Sequence, residues 1–286
     1  MYYALNDKGA LIRASEASKE DVYYCPCCKD SLILRKGDIV RHHFAHKSSA
    51  DCDTFTHDMS DWHRDWQSQF PEVTREVHIK AKLSKSDLAF LKGDIGFRDY
   101  GEEKVKYVTH RADVCYVRKL NNLVSYDGKV IEAVFDRNSD VDNGIILEFQ
   151  HSPISKAEFE ERNEFYNACG FRVIWIFDVT ALVDDGILYD VKRDKKSKSD
   201  MWVWKKPWRI FENFDPSYSC NSVFFQTIDA DLEKDSWYLK KVTWCIYDEE
   251  KVVSSFRRFY AKYLPGSVEF LKKEYQLDNR FMFKYI

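Results

Sequence analysis

Residues 144–152 read GIILEFQHS, an apolar run interrupted by a carboxylate and an amide two residues apart. Side chains alternate along a strand, so Glu148 and Gln150 share one face, and Leu147 and Phe149 the other. A carboxylate in such a run is costly to bury unless it is paired or binds a metal. A second acid stands upstream in RADVCYV, where Asp113 is expected on one face with Arg111 and Cys115, and Ala112, Val114 and Tyr116 on the other. If the two strands are neighbours, Asp113 and Glu148 converge at one end of the sheet. Two carboxylates with a backbone carbonyl make a hard oxygen site suited to Mg²⁺ or Mn²⁺. Such an ion polarises a phosphoryl oxygen and lowers the pKa of a bound water. Gln150 is placed to hold that water or a phosphate oxygen. On spacing alone, the plainer reading comes first: two acids at strand ends, solvated or paired with Arg.

A second constellation lies in YYCPCCKDSLILRKGDIVRHHFAH, residues 23–46. Cys25 and Cys28 form a C-x-x-C knuckle, and His43 and His46 an H-x-x-H pair, with 14 residues between Cys28 and His43. Two thiolates and two imidazoles suit tetrahedral Zn²⁺, and four protein ligands make a closed, structural site. The segment between the pairs is a hairpin pattern turning at Lys36-Gly37-Asp38, so the metal is expected to staple a hairpin, not to present a recognition helix. The fourth ligand stays open, because Cys27, His42 and Cys52 are close in sequence. The plainer alternative is reduced thiols near surface histidines.

A third feature is electrostatic. Between Lys192 and Arg209 stand Lys192, Arg193, Lys195, Lys196, Lys198, Lys205, Lys206 and Arg209 against Asp194 and Asp200, eight minus two, a local excess of six positive charges. Trp202, Trp204 and Trp208 interleave with them. Such a segment offers phosphate contacts, Lys205 and Lys206 among them, and stacking surfaces. A solvated loop leading into a core strand explains it equally well.

The elements that must hold these residues are legible in outline. Trp62, Trp66 and Phe70, ended by Pro71, mark a short amphipathic helix. VTREVHI and RADVCYV read as strands, separated by a polar stretch over 80–109 expected to be a loop or an extra hairpin. A hairpin is expected around Tyr126-Asp127-Gly128. SKAEFEERNEFYNACG is the clearest helix, with Ser155 and Glu158 as a capping box and Gly170 just past its end. FRVIWIFD is a buried strand. The order helix, strand, strand, strand, helix, strand predicts a mixed α/β domain. Beyond residue 185, WVWKKPWRIF, SVFFQTI and WYLKKVTWCIY are strand candidates, and EKVVSSFRRFYAKYL is expected to be a closing helix. The expected division is a zinc hairpin module over 1–55, an α/β core over 56–185 and an α+β extension over 186–286.

Composition bounds the remainder. The chain has 286 residues, is 44% hydrophobic and 16% aromatic, and carries a formal net charge of −3. That supports a substantial core, argues against disorder, and confines any nucleic-acid contact to a local patch. The opening MYYALNDKGALIRASE lacks a basic region followed by an apolar one, and no window has 18 consecutive apolar residues, so a cytoplasmic protein without a membrane span is expected. In that compartment the 8 cysteines are thiols or metal ligands. No G-x-x-x-x-G-K-[ST] motif occurs, so an ATP-driven step would belong to a helicase or ATPase partner.

Taken together, CPCC…HFAH, WHRDW, HRADV, ILEFQHSPIS, ERNEFY and VIWIFD resemble the CoiA-like competence protein nucleases, members of the PD-(D/E)XK phosphodiesterase superfamily. The resemblance covers roughly residues 20 to 180, is most specific in HRADV and EFQ-x-S, and is loose in the C-terminal third. It implies a restriction-endonuclease-like core in which Asp113 and Glu148 are Mg²⁺ ligands. Gln150 stands where most of the superfamily carries Lys. Glu76 matches a further acid near the first strand, and His63 the helix histidine, while Gln67 stands where relatives often have Lys. Ser152 and Arg162 match as substrate-orienting groups. The implied function is divalent-metal-dependent hydrolysis of DNA phosphodiester bonds, in DNA uptake and recombination or in phage defence. The alternative is a catalytically inactive, zinc-stapled nucleic-acid-binding or assembly subunit of a larger complex.

Overall fold

Two serines fix the helices that flank the central strands. Ser60 Oγ accepts from His63 N and opens α1, Asp61–Ser68. Ser155 Oγ accepts from Glu158 N and opens α3, Lys156–Ala168. Each satisfies an N–H that the first helical turn leaves without a partner. The Glu158 carboxylate lies 3.6 Å from Arg162 Nε one turn on. α3 ends where the sequence predicts: Gly170 has φ +80, and a Cβ there would meet Asn143 Nδ2 at 2.7 Å.

The computed structural model describes residues 3–37, 42–47, 60–94, 105–119, 123–194, 199–205, 208, 210, 221–228, 237–246, 256–264 and 267–277. Their strands form two sheets. The first is antiparallel and N-terminal: β1 (Tyr3–Leu5), β2 (Leu11–Arg13), β3 (Tyr23–Tyr24), β4 (Ser31–Arg35) and β5 (His43–His46), in the order β2-β1-β3-β4-β5. Its small core is Ala4, Ala14, Ala17, Tyr23, Cys25, Leu32 and Phe44. The expected hairpin is β4–β5, with Arg35 opposite His43.

The second sheet is mixed and has eleven strands. Its middle is β6 (Arg75–Leu83), β7 (Lys106–Val117), β10 (Gly144–Gln150) and β11 (Phe171–Asp178), side by side in reverse chain order as β11-β10-β7-β6. β8 (Leu123–Asp127) and β9 (Val130–Ala133), the hairpin expected at Gly128, extend one edge. β12 (Leu188–Asp194), β13 (Ser199–Lys205), β14 (Ser222–Ile228), β15 (Trp237–Ile246) and β16 (Phe256–Leu264) extend the other. β10 and β11 are parallel and joined through α3, whereas β7 and β10 are antiparallel. Gly144 lets β10 begin against β7, because a Cβ there would meet Tyr116 O at 1.9 Å.

Both faces of the middle strands are covered, which is why β10 is apolar almost throughout. On one face Ile146, Val173 and Trp175 pack with Phe159, Phe165 and Tyr166 of α3. On the other, Leu147, Phe149, Ile174 and Ile176 pack with Trp66 and Phe70 from α1 and the segment after it, and with Leu271 of α5 (Ser267–Glu274).

Three expectations need correction. The stretch over 80–109 holds the end of β6 and then α2 (Lys85–Leu91), opened by a full capping box between Ser84 and Asp87; residues 95–104 lie outside the described residues. FRRFYAKYL is strand β16, hydrogen-bonded to β13 on one side and β15 on the other, and the closing helix is α5 instead. Aromatic residues serve strands as well as helices, and pairing on both sides decided between them. Finally, strict alternation fails on β7. Ala112 and Cys115 pack on the α3 face, while Val114 and Tyr116 pack on the α1 face. The phase slips between Ala112 and Val114, and Asp113 sits at the slip.

Candidate active site

The slip turns Asp113 toward α1. His63 Nε2 lies 2.7 Å from its Oδ1, a close polar contact without the alignment of a hydrogen bond. Gln67 Nε2, one turn along α1, donates to Asp113 O at 3.3 Å and Oδ1 at 3.4 Å. Phe149 N donates to Asp113 Oδ2 at 2.8 Å. This last bond explains the backbone: the β7–β10 ladder runs from Gly144–Val117 to Leu147–Val114, and beyond it the carboxylate takes the next N–H in place of a main-chain partner. Asp113 is 7% exposed, on a central strand, and held by two elements.

Glu148 leaves β10 on the α3 face and is 5% exposed. Tyr166 OH donates to its Oε1 at 2.9 Å, and Arg162 Nη1 stands 3.5 Å from its Oε2. Arg162 is itself buried and bridges Glu148 to Glu158. Tyr166 is four residues beyond Arg162, so both side chains leave the same face of α3. The R-x-x-x-Y spacing was visible in the sequence, but the role of the tyrosine required knowing that α3 lies over β10. Gln67 likewise gains its place only through the docking of α1.

The other sequence candidates are placed as follows. Gln150 Nε2 donates to Ser152 O at 2.5 Å, closing the end of β10, and the Ser152 residue is exposed. Glu76 is buried with φ +50 and has Arg111 Nη1 3.7 Å from its Oε1. It also acts electrostatically on Lys129 and Tyr3, on the side of the small sheet. Burial pushes the Lys129 ammonium down to about 8, against the pull of Glu76. Lys205 is exposed, and Lys206 lies outside the described residues. Trp204 is fully buried against Phe225 and Trp208, which makes it a core residue and not a stacking platform.

Among the described residues, one set of three His, Cys, Asp or Glu side chains has its ligand atoms within 4.8 Å of one another: Cys25, Cys28 and His46. Cys28 Sγ and His46 Nε2 are 3.4 Å apart. Bonds of about 2.3 Å to sulfur and 2.0 Å to nitrogen at a tetrahedral angle place such atoms roughly 3.6 Å apart, so the geometry fits an ion such as Zn²⁺. The knuckle is closed by Lys29 N donating to Cys25 O, with Lys29 at φ 64. His43 is not in the set. On strand β5, residues 43 and 46 differ by an odd number and face opposite ways. Cys27 points elsewhere, its Sγ 3.5 Å from Thr109 Oγ1 on β7. Cys52 lies outside the described residues.

Two stretches of the chain match family models. Residues 9–55 match the model of the competence protein CoiA N-terminal domain, and residues 138–191 that of the CoiA nuclease-like domain. The first range contains the Cys/His set; the second contains Glu148, Gln150, Ser152 and Arg162. A 59-residue stretch is 41% identical to the Druantia protein DruB of Escherichia coli (strain UMEA 4076-1), covering 19% of this chain and 11% of that protein. The match therefore spans about a tenth of that relative's length. No solved structure gives a significant match. The chain is thus similar to the competence protein CoiA over two separate stretches, in this order.

Proposed function

We propose that the protein is a divalent-metal-dependent nuclease that hydrolyses DNA phosphodiester bonds, with a PD-(D/E)XK core. The observation that carries this reading is the pair of buried carboxylates, Asp113 and Glu148, on adjacent central strands where the β7–β10 ladder ends. The order α1, β6, β7, β10, α3, β11, with an acid on β7 and E-x-Q on β10, supports it. Mg²⁺ is commonly held through one or two carboxylates plus waters and substrate phosphates. Asp113 is turned toward α1 and Glu148 toward α3, so sharing one ion requires one of the two side chains to leave its present partners. When bound, an ion of the Mg²⁺ or Mn²⁺ class offsets charge at phosphorus and supplies an activated water.

The chain's own residues do the rest. His63, Gln67 and Phe149 N fix Asp113 in place. Arg162 and Tyr166 hold Glu148 in the free protein. Gln150 ends the same strand and Ser152 follows two residues on, beside the scissile phosphate. Residues 1–55 form the zinc-stapled module, 56–185 the nuclease core and 186–286 the extension, whose basic segment with Lys205 and Lys206 contacts the DNA backbone. The setting is DNA uptake and recombination or phage defence, with any ATP-driven step supplied by a partner.

The internal pairing of both carboxylates favours a second reading, a zinc-stapled binding or assembly subunit that cleaves nothing. Wild type, D113A and E148A, incubated with linear, circular and single-stranded DNA in Mg²⁺, Mn²⁺ or chelator, separate the two. Metal-dependent cutting by the wild type, lost in both folded variants, is expected. DNA binding without cutting, unchanged in the variants, selects the second reading.

A further inference from the structure

Immediately beyond the E-x-Q strand lies a pair that the site above does not use. His151 Nδ1 and Asp178 Oδ2 are 2.8 Å apart. Gln150 pairs with Phe177 in the parallel β10–β11 ladder, so His151 and Asp178 occupy the next rung at the carboxyl ends of both strands. In open α/β sheets that is the end where ligands bind. Asp178 is itself fixed, its Oδ1 accepting from Thr180 N at 3.0 Å where α4 (Thr180–Asp184) begins. The two side chains differ in access: Asp178 is 11% exposed and His151 51%.

The imidazole is held on a second side. Its ring stacks on Trp62 of α1, centroids 5.6 Å apart and planes at 30°. Trp62 Nε1 donates to the buried Gln226, which anchors the indole. The next residue, His63, is the one that reaches Asp113. One turn of α1 therefore touches both the candidate metal ligand and the His151 ring. A carboxylate accepts, so Nδ1 carries the proton toward Asp178 and Nε2 is the outward nitrogen. A histidine oriented by a buried acid, with its far nitrogen open to solvent beside a hydrolytic site, is built as a proton-transfer group.

We infer that His151, oriented by Asp178, donates the proton that the leaving oxygen takes up during phosphodiester hydrolysis, an inference that rests on the nuclease reading above. Water adds to phosphorus and releases a proton to solvent. The bond from phosphorus to the leaving oxygen breaks, that oxygen takes the Nε2 proton of the imidazolium, and the neutral ring regains a proton from solvent. His151 acts on the reacting atoms, and Asp178 is a positioning residue.

The experiment compares wild type, H151N and D178N on DNA and on the same oligonucleotide with one bridging sulfur, placed at either the 3′ or the 5′ side of phosphorus, in Mn²⁺. A thiolate leaves without needing a proton. H151N is expected to cut ordinary DNA roughly 100-fold more slowly or worse. It should cut one of the two sulfur-bridged substrates at nearly the wild-type rate. D178N should show a smaller loss with the same rescue. Equal losses of H151N on all substrates, or no loss on DNA, overturn the inference while leaving the nuclease reading standing. A wild type that cuts no substrate overturns the nuclease reading and this inference with it. Melting temperatures confirm that each variant is folded.

Discussion

Glu148 shows how a buried charge becomes informative once its partners are known. Tyr166 and Arg162 compensate it from α3, and Arg162 in turn lies between Glu148 and Glu158. Breaking a buried ion pair by removing one partner costs about 3–5 kcal/mol, because the remaining charge is left uncompensated. R162A is therefore expected to lower the melting temperature sharply. If Glu148 is a metal ligand, excess Mn²⁺ should restore part of the loss in R162A and none of it in R162A/E148Q, read by thermal melts with and without the ion. Y166F removes one hydrogen bond to the same carboxylate and should cost less, about 1–3 kcal/mol. The acid and the R-x-x-x-Y spacing stand plainly in the sequence. Their meeting does not, since they come from different elements and only packing brings them together.

At the scale of elements, local signals and tertiary decisions separate cleanly. The ends of α3 were fixed locally by Ser155 and Gly170. S155A should destabilise the protein by about 1 kcal/mol through the lost cap. G170A should cost more, because it adds a Cβ at positive φ and presses it against Asn143; urea melts of both variants check the order. The knuckle on the small sheet gives a sharper test. C25A, C28A and H46A should lose bound zinc in metal analysis of the purified protein, while H43A keeps it, because His43 lies on the other face of β5. Loss of metal should loosen the N-terminal sheet first, whose own core is small.

Across the whole molecule, Lys129 ties the two sheets. It lies in the β8–β9 turn, donates to Glu72 O at 2.7 Å and to Arg75 O, and stands over the Tyr3 ring of β1 at 4.4 Å. Burial lowers its folded pKa to about 8, below the value near 10.4 expected in the unfolded chain. Between those values the unfolded state binds more protons, so stability rises with pH. Below pH 8 both states are protonated and the penalty of burying the ammonium is full; above about 10.4 both are neutral and it vanishes. Between pH 8 and 10 the wild type should gain about 2 kcal/mol relative to K129M, measured by denaturant melts at each pH. The same lysine couples Glu76 to the small sheet, which places that acid nearer the junction of the sheets than its position on β6 suggests.

What the sequence determined by itself was whatever depends on neighbours along the chain. The face shared by Glu148 and Gln150, the cap of α3, the hairpin at Gly128 and the C-x-x-C knuckle all follow from local spacing, because strand alternation and helix capping act over a few residues. The tertiary structure decided the rest. A phase slip on β7 sends Asp113 toward His63 instead of keeping it level with Cys115. Hydrogen bonding from both sides makes β16 a strand. The parallel register of β10 and β11 sets Asp178 beside His151, 27 residues away in sequence. Each of these depends on groups far apart in the chain, and no local pattern encodes which strand will supply the missing partner.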